Sequence, residues 1–254
     1  MLRVIKSELY KTCHRLYPFV FSGVIVALGL LMVFLFAFTN PNLPADKQVG
    51  FDGMIEFTLY MLPLGLYLTV AFVDMVFSEE YKNQTMKNSL AFGIPRTSLS
   101  LGKLAAELMV AVISRRVILG VILGVGLLLL GPVYPVSFSK LFVEFGQRLL
   151  VSLPLWIGAL SFGNMLAFHF KSSTLYTLFF IGLFAVLPMF LQMAAHYYPF
   201  LGEVRLWLMT PLLEQLANTD LTNEIILRSV VTGAVYLIGS TLIGLVFYRK
   251  KEIH

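Results

Sequence analysis

The 254-residue chain has a single cysteine, Cys13, so no disulfide can form within it. Charge is scarce as well: Asp, Glu, Lys and Arg make up 13% of the residues, against 58% hydrophobic and a mean hydropathy of +0.82. A water-soluble domain cannot hide that much apolar sequence, which leaves an all-α, polytopic membrane protein. The phosphate-cradling pattern G-x-x-x-x-G-K-[ST] is missing: Gly102-Lys103 is followed by Leu104, and Thr97 stands where the first glycine belongs. The chain therefore has no P-loop with which to hydrolyse ATP. Its four histidines, His14, His169, His196 and His254, are scattered, and no Cys/His group has metal-ligand spacing, so no metal is expected. No serine–base arrangement and no repeat of 20–50 residues stands out. The net charge of +5 does not point to nucleic acid, because the basic residues flank hydrophobic runs instead of forming one face.

What is present is a series of long apolar runs. Six spans are expected, at about 17–38, 55–77, 104–130, 149–168, 174–195 and 225–247. Each is long enough at 1.5 Å per residue to cross a hydrocarbon core of about 30 Å. Pro63 is expected to kink the second span, and Pro154 lies inside the fourth. Ahead of the first span, Leu2, Ile5, Leu9, Cys13 and Leu16 recur at three- and four-residue spacing, with Arg3, Lys6, Glu8, Lys11 and Arg15 largely elsewhere on the wheel. Residues 1–16 thus read as an amphipathic helix lying in the headgroup plane. Their charge, and the length of the run that follows, do not fit a cleaved signal peptide. Ser137 to Arg148 reads as an amphipathic lead-in to the fourth span. Residues 196–224 carry Val204, Trp207, Leu212 and Leu213 and read as a re-entrant or interfacial segment, with Tyr197, Tyr198 and Trp207 suited to the headgroup belt.

Orientation follows from the basic residues. Fourteen of the nineteen Lys and Arg fall on the side of both termini and of the loop at 78–103, which makes that side cytoplasmic. That loop opens with Glu79-Glu80 and continues into a short candidate helix, Tyr81 to Phe92, with Met86, Leu90 and Ile94 forming a narrow apolar stripe. Pro95 ends it, and Thr97 or Ser98 caps the next helix. Few polar groups lie within spans: Asp74, Asn164 and Gln192 stand out. A carboxylate in hydrocarbon is costly and needs a partner. Asp74 is therefore expected to pair with Arg115 or Arg116, placed near the inner headgroup level at the start of the third span.

The run of acidic pair, short helix, Gly-Ile-Pro-Arg and Leu-Gly-Lys-Leu leading into a span resembles the coupling region of the ABC-2 type exporter permeases. The basic amphipathic start, six spans and basic end match that family's layout more loosely. The resemblance implies that Glu79, Glu80, Tyr81, Thr85, Met86, Leu90, Pro95 and Arg96 dock on a cytosolic ATP-binding subunit, which alone binds ATP and Mg. It also implies two such subunits, a second permease copy or close homologue, and a path exposed alternately to the two sides of a bacterial plasma membrane. A path lined mainly by phenylalanine, leucine and methionine, with Asn164 and Gln192 as its polar contacts, favours an amphipathic or lipid-like cargo. Small permeases with short outer loops are similar to the Gram-positive exporters of antimicrobial or cytolytic peptides, including the lantibiotic immunity and phenol-soluble modulin systems. Two other readings compete. One is a non-enzymatic membrane anchor or immunity protein. The other is a CAAX-type intramembrane protease built on Glu79-Glu80, against which stand Gln84-Thr85 in place of the expected arginine, and His169 and His196 at opposite membrane faces.

Overall fold

The structure is a computed structural model that describes residues 2–44, 47–83, 95–131, 138–170 and 172–250. Its regular elements among these residues are all helical: α1 Leu2–Cys13, α2 Leu16–Thr39, α3 Phe51–Tyr60, α4 Leu62–Asn83, α5 Arg96–Leu129, α6 Phe138–His169, α7 Ser173–Ala194, α8 Phe200–Arg205, α9 Met209–Asn218 and α10 Asn223–Lys250. Five of them (α2, α5, α6, α7 and α10) are long and apolar enough to cross a membrane. The pair α3 and α4 meets the same test as a unit, bent by 57° at a one-residue break.

Local chemistry accounts for the breaks. Asn40 ends α2 and holds the following loop, its side chain donating to the Val49 carbonyl at 2.8 Å and accepting from the Val49 N–H at 3.0 Å. Between α3 and α4 the chain turns at Met61, two residues before Pro63, whose ring has no N–H to continue the ladder and crowds the preceding turn. Two helices run on without a break, one of them through Pro154. α5 is one helix of 34 residues that starts at Arg96, and α6 is one of 32 that absorbs the stretch from Ser139 to Arg148. That stretch leads into the span as the first turns of the same helix, because extending a formed helix is far easier than starting a new one.

α6 sits at the centre. Half of its most apolar window is buried, against 6% for α2 and for α5, which are peripheral. Its closest partner is α10. A Cβ built on Gly233 would lie 2.4 Å from the Pro154 carbonyl carbon, and one built on Gly158 would lie 2.8 Å from the Gly233 oxygen. Two glycines thus let the backbones touch, the usual device where helices must pack tightly without a hydrophobic driving force. Within α7, a π turn at Gly182–Val186 precedes Pro188, which has no N–H to give the Phe184 carbonyl four residues back and so leaves it available. Tyr67 Oη of α4 donates to it at 3.2 Å, and Thr210 Oγ1 of α9 donates to it as well. α9 is not a surface element: Met209, Leu212, Leu213 and Leu216 are fully buried. Arg148 of α6 closes its C-terminal end, donating to the Leu216 carbonyl at 2.7 Å and the Thr219 carbonyl at 2.8 Å while pairing with Glu144 at 2.8 Å.

Candidate functional site

The site lies where α1 meets the first turns of α5. The residues α1 buries are Val4, Ile5, Glu8 and Thr12, one stripe at helical spacing. Leu2 and Leu16 point outward, 76% and 79% exposed, and Cys13 is exposed. The buried stripe shares Ile5 with the apolar stripe read from the wheel, and Leu9 is half-buried against the core, but Glu8 and Thr12 turn inward while Leu2, Cys13 and Leu16 do not. Docking decides the face: α1 sits on Gly102, where an added Cβ would be 2.7 Å from Val4 Cγ1.

This docking carries Glu8 into the protein. Its Oε2 lies 3.2 Å from Lys103 Nζ and its Oε1 2.9 Å from Lys11 Nζ. Glu8 is 4% exposed and Lys103 fully buried, with the ammonium 4.8 Å from the centroid of the Phe77 ring. Burial alone would raise the Glu8 carboxyl; the charge of Lys103 and the hydrogen bond and charge of Lys11 outweigh it and hold the group below its ordinary value. One turn above Lys103 stands Glu107, fully buried, whose Oε1 accepts a 2.8 Å hydrogen bond from Asn164 Nδ2 of α6. On α4, the Asp74 carboxylate accepts from Ser173 Oγ at 2.6 Å and Tyr176 Oη at 3.0 Å, both of α7. Arg15, just after α1, donates to the Met75 carbonyl at 3.0 Å. Side chains from α1, α4, α5, α6 and α7 thus meet in polar contacts at one end of the bundle.

The expected pairing of Asp74 with Arg115 or Arg116 is not what the structure contains. Asp74 is bound to α7, Arg115 lies over the Trp156 indole, and Arg116 is exposed. Depth explains the difference. Because α5 is helical from Arg96, Arg115 stands about 28 Å along it, whereas Asp74 is only about 13 Å from the end of α4. The two proposed path residues are also apart: Asn164 is buried against Glu107, and Gln192 is exposed near the far end of α7. Pro95 is exposed and Arg96 opens α5. Glu79, Glu80 and Tyr81 belong to the last turns of α4, where only the backbone is described, and Thr85, Met86 and Leu90 lie outside the described residues.

Glu8, Lys103 and Glu107 carry this site, and none of the three is conspicuous in the sequence. On the helical wheel Glu8 falls with the polar face of α1, and Lys103 and Glu107 sit in a run that reads as the approach to a span. The available signal was the i, i+4 spacing of Lys103 and Glu107 with a carboxylate inside an apolar stretch.

Residues 4–184 match the profile of a family described as ABC-2 family transporter proteins. The chain belongs to the ABC-2 transporter family. No curated protein matches it significantly. As an ABC-2 membrane component it holds the whole polar cluster inside the matched region, which runs from α1 to the π turn of α7 and leaves α8, α9 and α10 beyond it. Among the described residues, no group of three or more His, Cys, Asp or Glu is placed to share a metal ion. The arrangement is mechanical in character: ion pairs and hydrogen bonds fasten a surface helix to the base of α5, and α5 to α6.

Proposed function

We propose that this chain is the membrane-spanning permease subunit of an ATP-driven exporter, with six spans and both termini in the cytoplasm of a bacterial cell. A separate ATPase chain, present in two copies, binds ATP and Mg and docks on residues 79–96. The observation that carries this reading is the buried Glu8–Lys103 pair in a chain of the ABC-2 family. It joins α1 to α5 at the point where the 78–103 stretch feeds into the bundle, so a push on that stretch moves α1 and the base of α5 together. A second permease copy completes the path. Gly120 and Gly124 support this: they are exposed one turn apart on α5 with nothing within 4 Å, a smooth patch against which another helix can close. The cargo is an amphipathic molecule such as an antimicrobial or cytolytic peptide.

Co-expression with a candidate ATPase chain tests the assignment. A two-plus-two assembly should purify in mild detergent and couple ATP hydrolysis to export after reconstitution. Charge reversal at Glu79 and Glu80, or Met86→Asp, should uncouple hydrolysis while the permease still inserts. A monodisperse single chain that exports its cargo unaided would overturn the proposal, and normal coupling in Met86→Asp would remove the docking stretch from it.

A further inference from the structure

Arg115 and Trp156 form a second feature, distant from the polar cluster. The Arg115 guanidinium lies directly over the Trp156 indole. Arg115 Nη1 and Nη2 and Trp156 Nε1 are all buried, and none has a hydrogen-bond partner. Three donor atoms at one stacked pair are therefore left with no acceptor among the described residues, in a protein interior where a buried donor normally finds one. Gly65, one turn beyond the Met61 break, packs here too: a Cβ on it would lie 3.0 Å from Trp156 Cζ2. The donors sit beside the interrupted span α3–α4, about midway along α5 and α6.

No carboxylate among the described residues pairs with Arg115: Asp74 is held by Ser173 and Tyr176, Glu8 by its two lysines, and Glu107 stands eight residues, about 12 Å, back along α5. A water molecule could accept two hydrogen bonds but would not neutralise a cation in hydrocarbon, which requires an anion. A guanidinium presents a fork suited to two carboxylate or phosphate oxygens, and the adjacent indole N–H adds a third donor. The exposed residues nearest the break, Tyr60, Met61 and Leu64, are 58%, 41% and 51% exposed and offer apolar surface to a chain. We infer that Arg115 and Trp156 form a binding site for the anionic head, carboxylate or phosphate, of a molecule with an apolar tail. The two possible sources, a bilayer lipid and a free amphiphile, share that chemistry. The site rests on its own geometry and not on power coupling, and its test needs no ATPase.

The chain has two tryptophans, so Trp207→Phe leaves Trp156 as the only indole. This protein, purified in dodecyl maltoside, is titrated with dodecyl phosphate and, separately, with dodecyltrimethylammonium, following Trp156 emission. Dodecyl phosphate should give a saturable change and the cation none. Arg115→Gln should weaken binding by about tenfold or more, the range for a lost charge-assisted hydrogen bond. Arg115→Lys should retain part of it, and Arg116→Gln all of it. Equal affinity in Arg115→Gln and its parent, or equal responses to the anion and the cation, would overturn the inference; the second comparison needs no variant at Arg115 and stands even if Arg115→Gln misfolds. Nanodiscs then separate the sources. Phosphatidylcholine discs should permit the titration. Its loss in phosphatidylglycerol discs identifies a lipid headgroup as occupant, and its persistence identifies a free amphiphile. No response in either micelles or phosphatidylcholine discs overturns the site.

Discussion

Gly233→Ala isolates the contact that holds α10 on α6. The added methyl would meet the Pro154 carbonyl carbon at 2.4 Å, its oxygen at 2.5 Å and its Cβ at 2.7 Å. Two of these atoms are backbone and the third belongs to a ring, so none can rotate away. Carbon atoms pack at about 3.5–4.0 Å, so α10 has to withdraw by roughly 1 Å. A gap of that size forfeits a quarter to a half of each contact's attraction and also loosens Met209, whose Cε would lie 3.0 Å from a Cβ on Gly158. Overpacking of this kind costs about 1–3 kcal/mol, partly offset by roughly 1 kcal/mol from alanine's better helix propensity. Gly239 provides the internal control. It lies on the same helix with nothing within 4 Å, so Gly239→Ala should be neutral or stabilising by up to about 1 kcal/mol. The two identical substitutions should therefore differ by about 2 kcal/mol, which for a chain of this size separates their melting temperatures by roughly 4–8 °C. Thermal unfolding in dodecyl maltoside measures this directly. If the two variants melt together, the glycine crossing is not what sets the α6–α10 distance.

Other contacts give equally direct tests. Glu8 is held below its ordinary value of 4.5, so its contribution is complete above that pH and is lost as pH falls through the folded-state value. Melting temperatures taken downward from pH 7 should fall below about pH 4.5 in the parent. Glu8→Gln should lack that acid step and be roughly 1–3 kcal/mol less stable at pH 7. Thr210→Val and Tyr67→Phe each leave the Phe184 carbonyl one donor and should cost about 1 kcal/mol. The double variant orphans it, so a melting cycle should show a loss larger than the sum. Asp74→Asn keeps an acceptor for Ser173 and Tyr176 and should cost under about 1 kcal/mol, whereas Asp74→Leu should cost about 1–3. A penalty for Asp74→Asn that Arg115→Gln erased would reinstate the pairing of those two residues.

The helical, membrane-crossing class was legible because period and length carry it. A run such as Tyr17 to Phe38 has few options in lipid other than a helix. What was not legible was which residue meets which. Glu8 looked solvent-facing because a wheel knows only its own helix, and the Gly102 saddle that turns Glu8 inward lies more than ninety positions away. The caps at Thr97 or Ser98 put the start of α5 within two residues of Arg96, yet Arg115 is expected near the inner headgroups; about 28 Å of helix separates it from that start, a length no local residue pattern reports. The break at Met61 had a local cause in Pro63. The free Phe184 carbonyl in α7 had one too, since Pro188, four residues on, has no N–H to give it; what was not visible is that Tyr67 and Thr210, from distant parts of the chain, satisfy it.

The continuity of α5 has a mechanical consequence. Its 34 residues give a rod of about 50 Å, against a hydrocarbon thickness of about 30 Å. If the rod rocks about Arg115, the arm toward Arg96 is about 28 Å and the arm toward Leu129 about 21 Å. A 5° rock then displaces the Arg96 end by about 2.5 Å and the Leu129 end by about 1.8 Å in the opposite sense. Nearly three-quarters of the stroke delivered at one face thus reaches the other, with direction reversed and no element in between obliged to bend.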